Sequence, residues 1–537
     1  MKLMFIGADH EVTGSCHYLS AAGKNILIDY GMEQGKNTFE NVPLPIQAGD
    51  IDYVFVTHAH IDHTGLLPVL GAQGFHGQIF ATEATCDLCG IMLLDSAHIQ
   101  EFEAEWRNRK GIRKGLPPFQ PLYTTPDAQR VLTHFVEFPY DQIINVNDNI
   151  RIRFTDIGHL LGSAAIEVWV TEDGKETKIV FSGDIGNKMQ PLLRDPQKIE
   201  EADYLLIEST YGTRSHEARP DHVTPLSEII QRTFDRGGNV VIPSFAVGRT
   251  QEMLYIIREI KEKQLIKGYP DFPVYVDSPL ATKATEIFRD HYADCLDSEV
   301  QDLLAKGINP LAFPGLCLSE TTDESKAINA DPTPKVIISA SGMCEAGRIK
   351  HHLKHNLWRK ESTILFVGYQ AEGSLGRALI EGEKEVTLFG EEIKVEAEIK
   401  SLKGISGHAD REGLLDWASG FKTRPKKVFV VHGDDDVVGP FTDLLREQLG
   451  FDAYAPYSGT VWDLTNNVCL KETAGIPYVR ETAPGQTGKK QKTSTPFIRL
   501  ENAGRRLMAI ISASRGLANK DLAKFADQLT SLCDKWQ

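Results

Sequence analysis

The chain has 537 residues, 41% of them hydrophobic and 25% charged, with a formal net charge of −16 at pH 7. That length exceeds what one hydrophobic core usually supports, so an ordinary globular protein of at least two domains is expected. No apolar run approaches the roughly 20 residues of a membrane helix, and the N-terminal apolar patch is too short for a signal peptide. A cytoplasmic protein without membrane contact is therefore expected. Eight cysteines in so long a chain do not build a disulfide framework and fit a reducing compartment. The charge is uneven: 12 basic against 6 acidic residues from Lys471 onward leave −22 on the first 470. A basic surface is the usual sign of a nucleic-acid partner, and its absence here neither supports nor excludes one.

In chain order, short apolar runs alternate with amphipathic stretches, the pattern of an α/β protein. "NILIDYG" ends at Asp29, and "DYVFVTHAHIDHTG" runs from strand type into His58, His60, Asp62 and His63. "ATEATCDLCGIMLLDSAHIQ" reads as a helix whose Cys86 and Cys89 pack rather than ligate, since no second CxxC completes a zinc site. "GHLLGSA" brings His159, "KIVFSGDIG" ends near Asp184 and "YLLIESTYG" brings Glu208. The stretch 211–395 has its own strand–helix rhythm, from "NVVIPSFAVGRTQE" to "STILFVGYQAEGSLGRAL", and reads as an inserted α/β unit. "SGHAD" with His408 and "KVFVVHGDDD" with His432 follow. Residues 480–496, rich in Gly, Pro, Thr and Lys, read as a linker to one or two amphipathic C-terminal helices. Five apolar strands thus end in His, Asp or Glu, and open α/β sheets place ligands at strand ends.

Four residues with metal-binding side chains within six positions point to a metal site. Imidazole nitrogen and carboxylate oxygen together suit zinc, and also manganese or iron. On so tight a loop, His58 and His60 reach one ion while Asp62 and His63 turn to a second. The loop cannot complete two sites, so His159, Asp184 and His432 are expected to converge on it from distant strands. A carboxylate between two cations is a common arrangement in two-metal hydrolases.

The pattern HxHxDH followed by a distant His, Asp and His resembles the metallo-β-lactamase superfamily. "ESTYG", "SGHAD" and "VVHGD", with "IPSFAVGRTQE", "SASGMCEAGRIKHHL" and "GYQAEGSLGRAL", resemble its β-CASP branch of nucleic-acid-cutting enzymes. The resemblance covers roughly residues 1–465. It implies an αββα sandwich with an inserted α/β cap: residues 1–210 and 396–470 forming the core, 211–395 the cap, and 471–537 a linker and helical extension. It implies two Zn2+ per chain, one on His58, His60 and His159, the other on Asp62, His63 and His432, with Asp184 bridging and Asp29 supporting. His408 is then the general acid and Glu208 its orienting partner. DNA-cutting members usually carry valine at the position of His432, so the histidine favours RNA, cut internally or from the 5′ end.

Within the insert, the Ser341–Gly342 turn is expected to cradle a phosphate at a helix start, with Arg348, Lys350, His351 and His352 beside it. Ser244, Arg249 and Thr250 are placed similarly, as substrate contacts or ordinary caps. Neither GxGxxG nor a Walker lysine is present, so no nucleotide cofactor is expected. The C-terminal extension offers a surface for dimerisation, RNA retention or a partner protein. Two rival readings stay open: a thioester or lactone hydrolase, and a non-catalytic RNA-binding scaffold.

Overall fold

The computed structural model describes residues 1–35, 38–112, 117–216, 221–402, 404, 406–478, 511 and 519–535. They fall in two units, Met1–Tyr478 and Val479–Gln537. In the second unit the described helix is Asn519–Asp534. The expected linker at 480–496 lies outside the described residues, and so does most of the stretch expected to serve dimerisation. Among the described residues, no helix is long and apolar enough to cross a membrane.

Two sheets face each other at the heart of the first unit. One has eight strands in the order Val468–Lys471, Val461–Asp463, Lys2–Gly7, Cys16–Ala21, Lys24–Ile28, Tyr53–Phe55, Gln78–Thr82 and Phe135–Phe138. The other has seven, in the order Ala453–Tyr454, Lys427–Val431, Tyr204–Glu208, Lys175–Phe181, Ala164–Glu172, Ile150–Asp156 and Ile144–Asn147. Side chains alternate across a strand, and the sequence uses both faces. Ile26 and Ile28 point between the sheets toward Phe154, Ile166 and Phe181, while Leu27 packs outward with Leu88 and Leu93 of the helix Glu83–Ile112. On the far side Tyr204 and Leu206 face inward, and Leu205 and Ile207 meet Trp417, Phe441 and Leu445. That double burial is why these strands read as unbroken apolar runs. The layers are helix, sheet, sheet, helix, as expected. Cys89 is buried and Cys86 half-buried in the helix Glu83–Ile112, and all eight cysteines are free.

A third sheet is wholly parallel, ordered Leu316–Leu318, Val274–Val276, Val336–Ser339, Val240–Pro243, Thr363–Phe366 and Glu398–Ser401. Helices such as Arg249–Glu262, Pro279–Asp290 and Ile349–Asn356 connect its strands, so apolar residues cover both faces. Its last strand, Glu398–Ser401, lies beyond residue 395, the expected limit of the insert. The insert leaves and returns between Tyr204–Glu208 and Lys427–Val431, which pair in parallel with Glu208 opposite Val431. The chain therefore sets Glu208 and His432 side by side at one sheet end.

Candidate metal centre

The strand Tyr53–Phe55 gives way to a loop and the short helix Ile61–Thr64. His58 and His60 precede that helix, whereas Asp62 and His63 lie within it, so the two pairs diverge. The loop packs tightly on its neighbour: a Cβ at Gly31 would lie 1.6 Å from the Asp62 carbonyl oxygen, a space that admits no side chain. His58, His60, His159 and Asp184 form one group of candidate ligands, and Asp62, His63 and His432 a second. His58 Nε2 lies 3.0 Å from His60 Nδ1, and His159 Nε2 lies 3.3 Å from the same atom. His63 Nε2 and His432 Nε2 are 3.3 Å apart, with Asp62 Oδ2 3.8 Å from the latter.

Asp184 stands between the groups. Its Oδ2 is 3.5 Å from both His58 Nε2 and His159 Nε2, and its Oδ1 is 3.4 Å from His63 Nε2. Oδ1 is buried without a hydrogen-bond partner. An orphaned carboxylate oxygen among imidazole nitrogens is what a cation site requires, because buried polar atoms otherwise find partners. The donor set fits a metal. Burial, then neighbouring imidazoles, holds His58 and His159 well below the usual histidine range, which keeps them in the neutral form a cation binds.

Other side chains aim the ligands. Asp29 ends the strand Lys24–Ile28 in a left-handed conformation, φ 58°. Its Oδ2 is 2.7 Å from His63 Nδ1, and it accepts from both the backbone N–H and the hydroxyl of Thr57. His159 Nδ1 lies 3.0 Å from the Gly407 carbonyl, and His432 Nδ1 lies 3.1 Å from Thr210 Oγ1. Such partners fix ring orientation, and losing one typically lowers metal affinity 10- to 100-fold. Asp29→Ala is accordingly expected to weaken zinc by roughly that factor, read by competition with a chromophoric chelator; unchanged affinity would remove Asp29 from the support of His63.

His408 closes the site from another direction. Its loop is tied to that of Asp184 by the Ala409 N–H to Ile185 carbonyl bond. His408 Nδ1 lies 3.2 Å from Glu208 Oε1, and His408 Nε2 lies 4.0 Å from Asp184 Oδ2. Glu208 itself accepts from the Ile185 and Thr210 N–H groups. Burial pulls the His408 imidazole down, but the Glu208 carboxylate, then Asp184 and Asp62, outweigh it and lift it to about 9.

In the cap the structure corrects several expectations. Ser341 and Gly342 do not open a helix, because the next one begins only at Ile349. His352 is fully buried, with Nε2 2.6 Å from Asp277 Oδ2 and Nδ1 3.0 Å from Asn329 Oδ1, so it cannot reach a substrate. Arg348 donates to Asp277 Oδ1 and to the carbonyls of Ser319 and Glu320. Burial raises the Asp277 carboxyl, but its bonds from His352, Ser325 and Arg348 prevail and hold it at about 2. Ser244 and Thr250 are buried and bonded to each other, and Arg249 pairs with Glu252, which is helix-start bonding. His351 stacks on Phe389 and Lys350 donates to the Glu345 carbonyl. Asp277 was missed although its signal was the same as elsewhere, an apolar strand ending in a carboxylate. Asp277→Ala should destabilise the protein by about 1–3 kcal/mol, because it takes the acceptor from the buried His352 Nε2 and from one Arg348 N–H; denaturant unfolding with a loss below about 0.5 kcal/mol would contradict this.

Three family models match the chain: the Metallo-beta-lactamase superfamily over residues 11–196, the Beta-Casp domain over 250–379, and the Zn-dependent metallo-hydrolase RNA specificity domain over 392–456. Among curated relatives, Ribonuclease TTHA0252 of Thermus thermophilus is 36% identical over 437 residues, covering 81% of this chain and 94% of its own. Transcription termination factor FttA of Methanosarcina mazei is 32% identical over 449 residues, 81% of this chain and 67% of its own. The factor of the same name from Methanocaldococcus jannaschii is 30% identical over 468 residues, 85% and 70%.

Proposed function

Because the chain belongs to the metallo-β-lactamase superfamily, in the branch that carries a Beta-Casp domain, we propose that it is a metal-dependent ribonuclease hydrolysing RNA phosphodiester bonds. The observation that carries this reading is Asp184, poised between two groups of imidazoles with the His408–Glu208 pair beside it. A relative sharing over a third of its residues is named a ribonuclease.

On this reading His58, His60 and His159 would hold one Zn2+ and Asp62, His63 and His432 a second, with Asp184 shared; the donors also admit manganese or iron. Bound there, the cations supply Lewis acidity that polarises the scissile phosphate and lowers the pKa of water toward neutrality. The chain's own residues do the rest. Asp29, Thr57, Thr210 and the Gly407 carbonyl fix the ligand rings. Glu208 takes the Nδ1–H of His408, so Nε2–H faces the pocket and gives its proton to the leaving oxygen. RNA lies between the core, formed by residues 1–210 and 402–470, and the cap, and the protein acts in the cytoplasm, internally on RNA or from its 5′ end.

A panel of zinc-loaded protein with single-stranded RNA, DNA of the same sequence, a thioester and a lactone tests this. Cutting of RNA well above the other three is expected. Turnover of the thioester or lactone with RNA intact would make it a small-molecule hydrolase. RNA binding with nothing turned over would make it a scaffold.

A further inference from the structure

The cap sheet is parallel throughout, and its carboxyl edge carries two large aromatic rings in solvent. Phe245 is 47% exposed and Tyr369 is 58% exposed. Phe245 follows the strand Val240–Pro243 and Tyr369 follows Thr363–Phe366, and these strands are bonded neighbours. The backbone of Gly342, in the turn after the neighbouring strand Val336–Ser339, approaches both loops. A Cβ there would stand 3.3 Å from Phe245 Cδ2 and Cε2, and one at Gly368 would stand 3.8 Å from Cε2, so bare backbone seats one side of the ring. The buried Gln370 donates from Nε2 to the carbonyls of Gly342 and Gly368, tying the Gly342 turn to the loop that carries Tyr369. The Phe245 ring is thus seated on backbone, and both rings keep about half of their surface in water.

The edge adjoins the metal centre. A Cβ at Gly248, three residues past Phe245, would lie 3.1 Å from Leu160, the neighbour of the ligand His159.

We propose that Phe245 and Tyr369 form a platform on which unpaired nucleobases flanking the scissile phosphate stack. The inference rests on the ribonuclease reading and names its substrate class as single-stranded RNA. Every base has a π-face, so stacking holds the strand without reading its sequence; a duplex has those faces already covered by neighbouring bases.

The test measures binding apart from cutting. An RNA carrying 2-aminopurine is titrated, with chelator present, against wild type, Phe245→Ala, Tyr369→Ala, Phe245→Tyr and Tyr369→Phe. Each alanine variant should bind single-stranded RNA roughly 5- to 150-fold more weakly, while the aromatic exchanges bind as wild type. An RNA with an abasic ribose at the stacked position should lose as much affinity for wild type, and no more for the alanine variant. Equal unfolding midpoints establish that the variants are folded. Unchanged affinity in both alanine variants would overturn the platform, as would an abasic loss equal in variant and wild type. If RNA binds as described but metal-loaded protein does not cut it, the platform stands and the ribonuclease reading fails.

Discussion

Asp184→Ala is expected to abolish RNA cleavage and to lower bound zinc below the wild-type content. Among the described residues, Asp184 is the one carboxylate that faces both groups of imidazoles, Oδ2 toward His58 and His159 and Oδ1 toward His63 and His432, all at 3.4–3.5 Å. Removing it leaves six candidate ligands, of which Asp62 alone is anionic, so the cluster loses half its negative charge. The loss of activity should be roughly a thousandfold or more, the scale of several kcal/mol of electrostatic stabilisation. Asp184→Asn keeps the shape and removes the charge, and should fall in the same direction. Metal content by elemental analysis, beside the cleavage rate, checks both. A variant that keeps its zinc and its rate would show that the metal sits elsewhere.

His408→Ala should separate chemistry from metal binding. Its cleavage rate is expected to drop about 10²–10⁴-fold, the usual contribution of a positioned acid, while zinc content stays at the wild-type level. The outcome is informative because His408, Glu208 and Asp184 also lie within ligand distance of one another. If the variant loses metal, His408 is a ligand and the acid must be found elsewhere. Glu208→Gln refines the point. Because the Glu208 charge raises the His408 imidazole, it extends to higher pH the range over which the ring keeps its proton. Without the charge, the basic limb of the pH–rate profile should move to lower pH. An unmoved limb would detach Glu208 from the proton donor.

The α/β class was legible because the strands are apolar on both faces and stop at polar residues, whereas the sandwich was implied by the resemblance that the HxHxDH motif carries. Asp29, His58, Asp184, Glu208 and His432 all fall at strand ends, and the fold brings them to one place. The supporting contacts were less visible. Thr57 and Thr210 are ordinary residues in sequence, and the Gly407 carbonyl has no side chain to declare it; only the convergence of loops hundreds of residues apart gives them a role. In the cap, charge misled. Arg348 and His352 looked like phosphate contacts next to a Ser/Gly turn, but a buried carboxylate 71 and 75 positions away takes both. The strand Glu398–Ser401, which pairs with Thr363–Phe366 beyond the expected boundary at 395, is hard to read in sequence because it has only four residues and alternates charged and uncharged ones. Phe245 and Tyr369 stand in solvent, a placement that neither "IPSFAVGRTQE" nor "GYQAEGSLGRAL" declares by itself.

The most direct measurement follows a 5′-labelled single-stranded RNA over time with purified protein and two equivalents of zinc, with and without chelator, beside the Asp184→Ala variant. Cutting that chelator stops, zinc restores and the variant lacks is the predicted result, and the product ladder separates internal from end-wise cleavage. Cutting that survives chelator, or that persists in Asp184→Ala, would contradict hydrolysis at the His/Asp cluster.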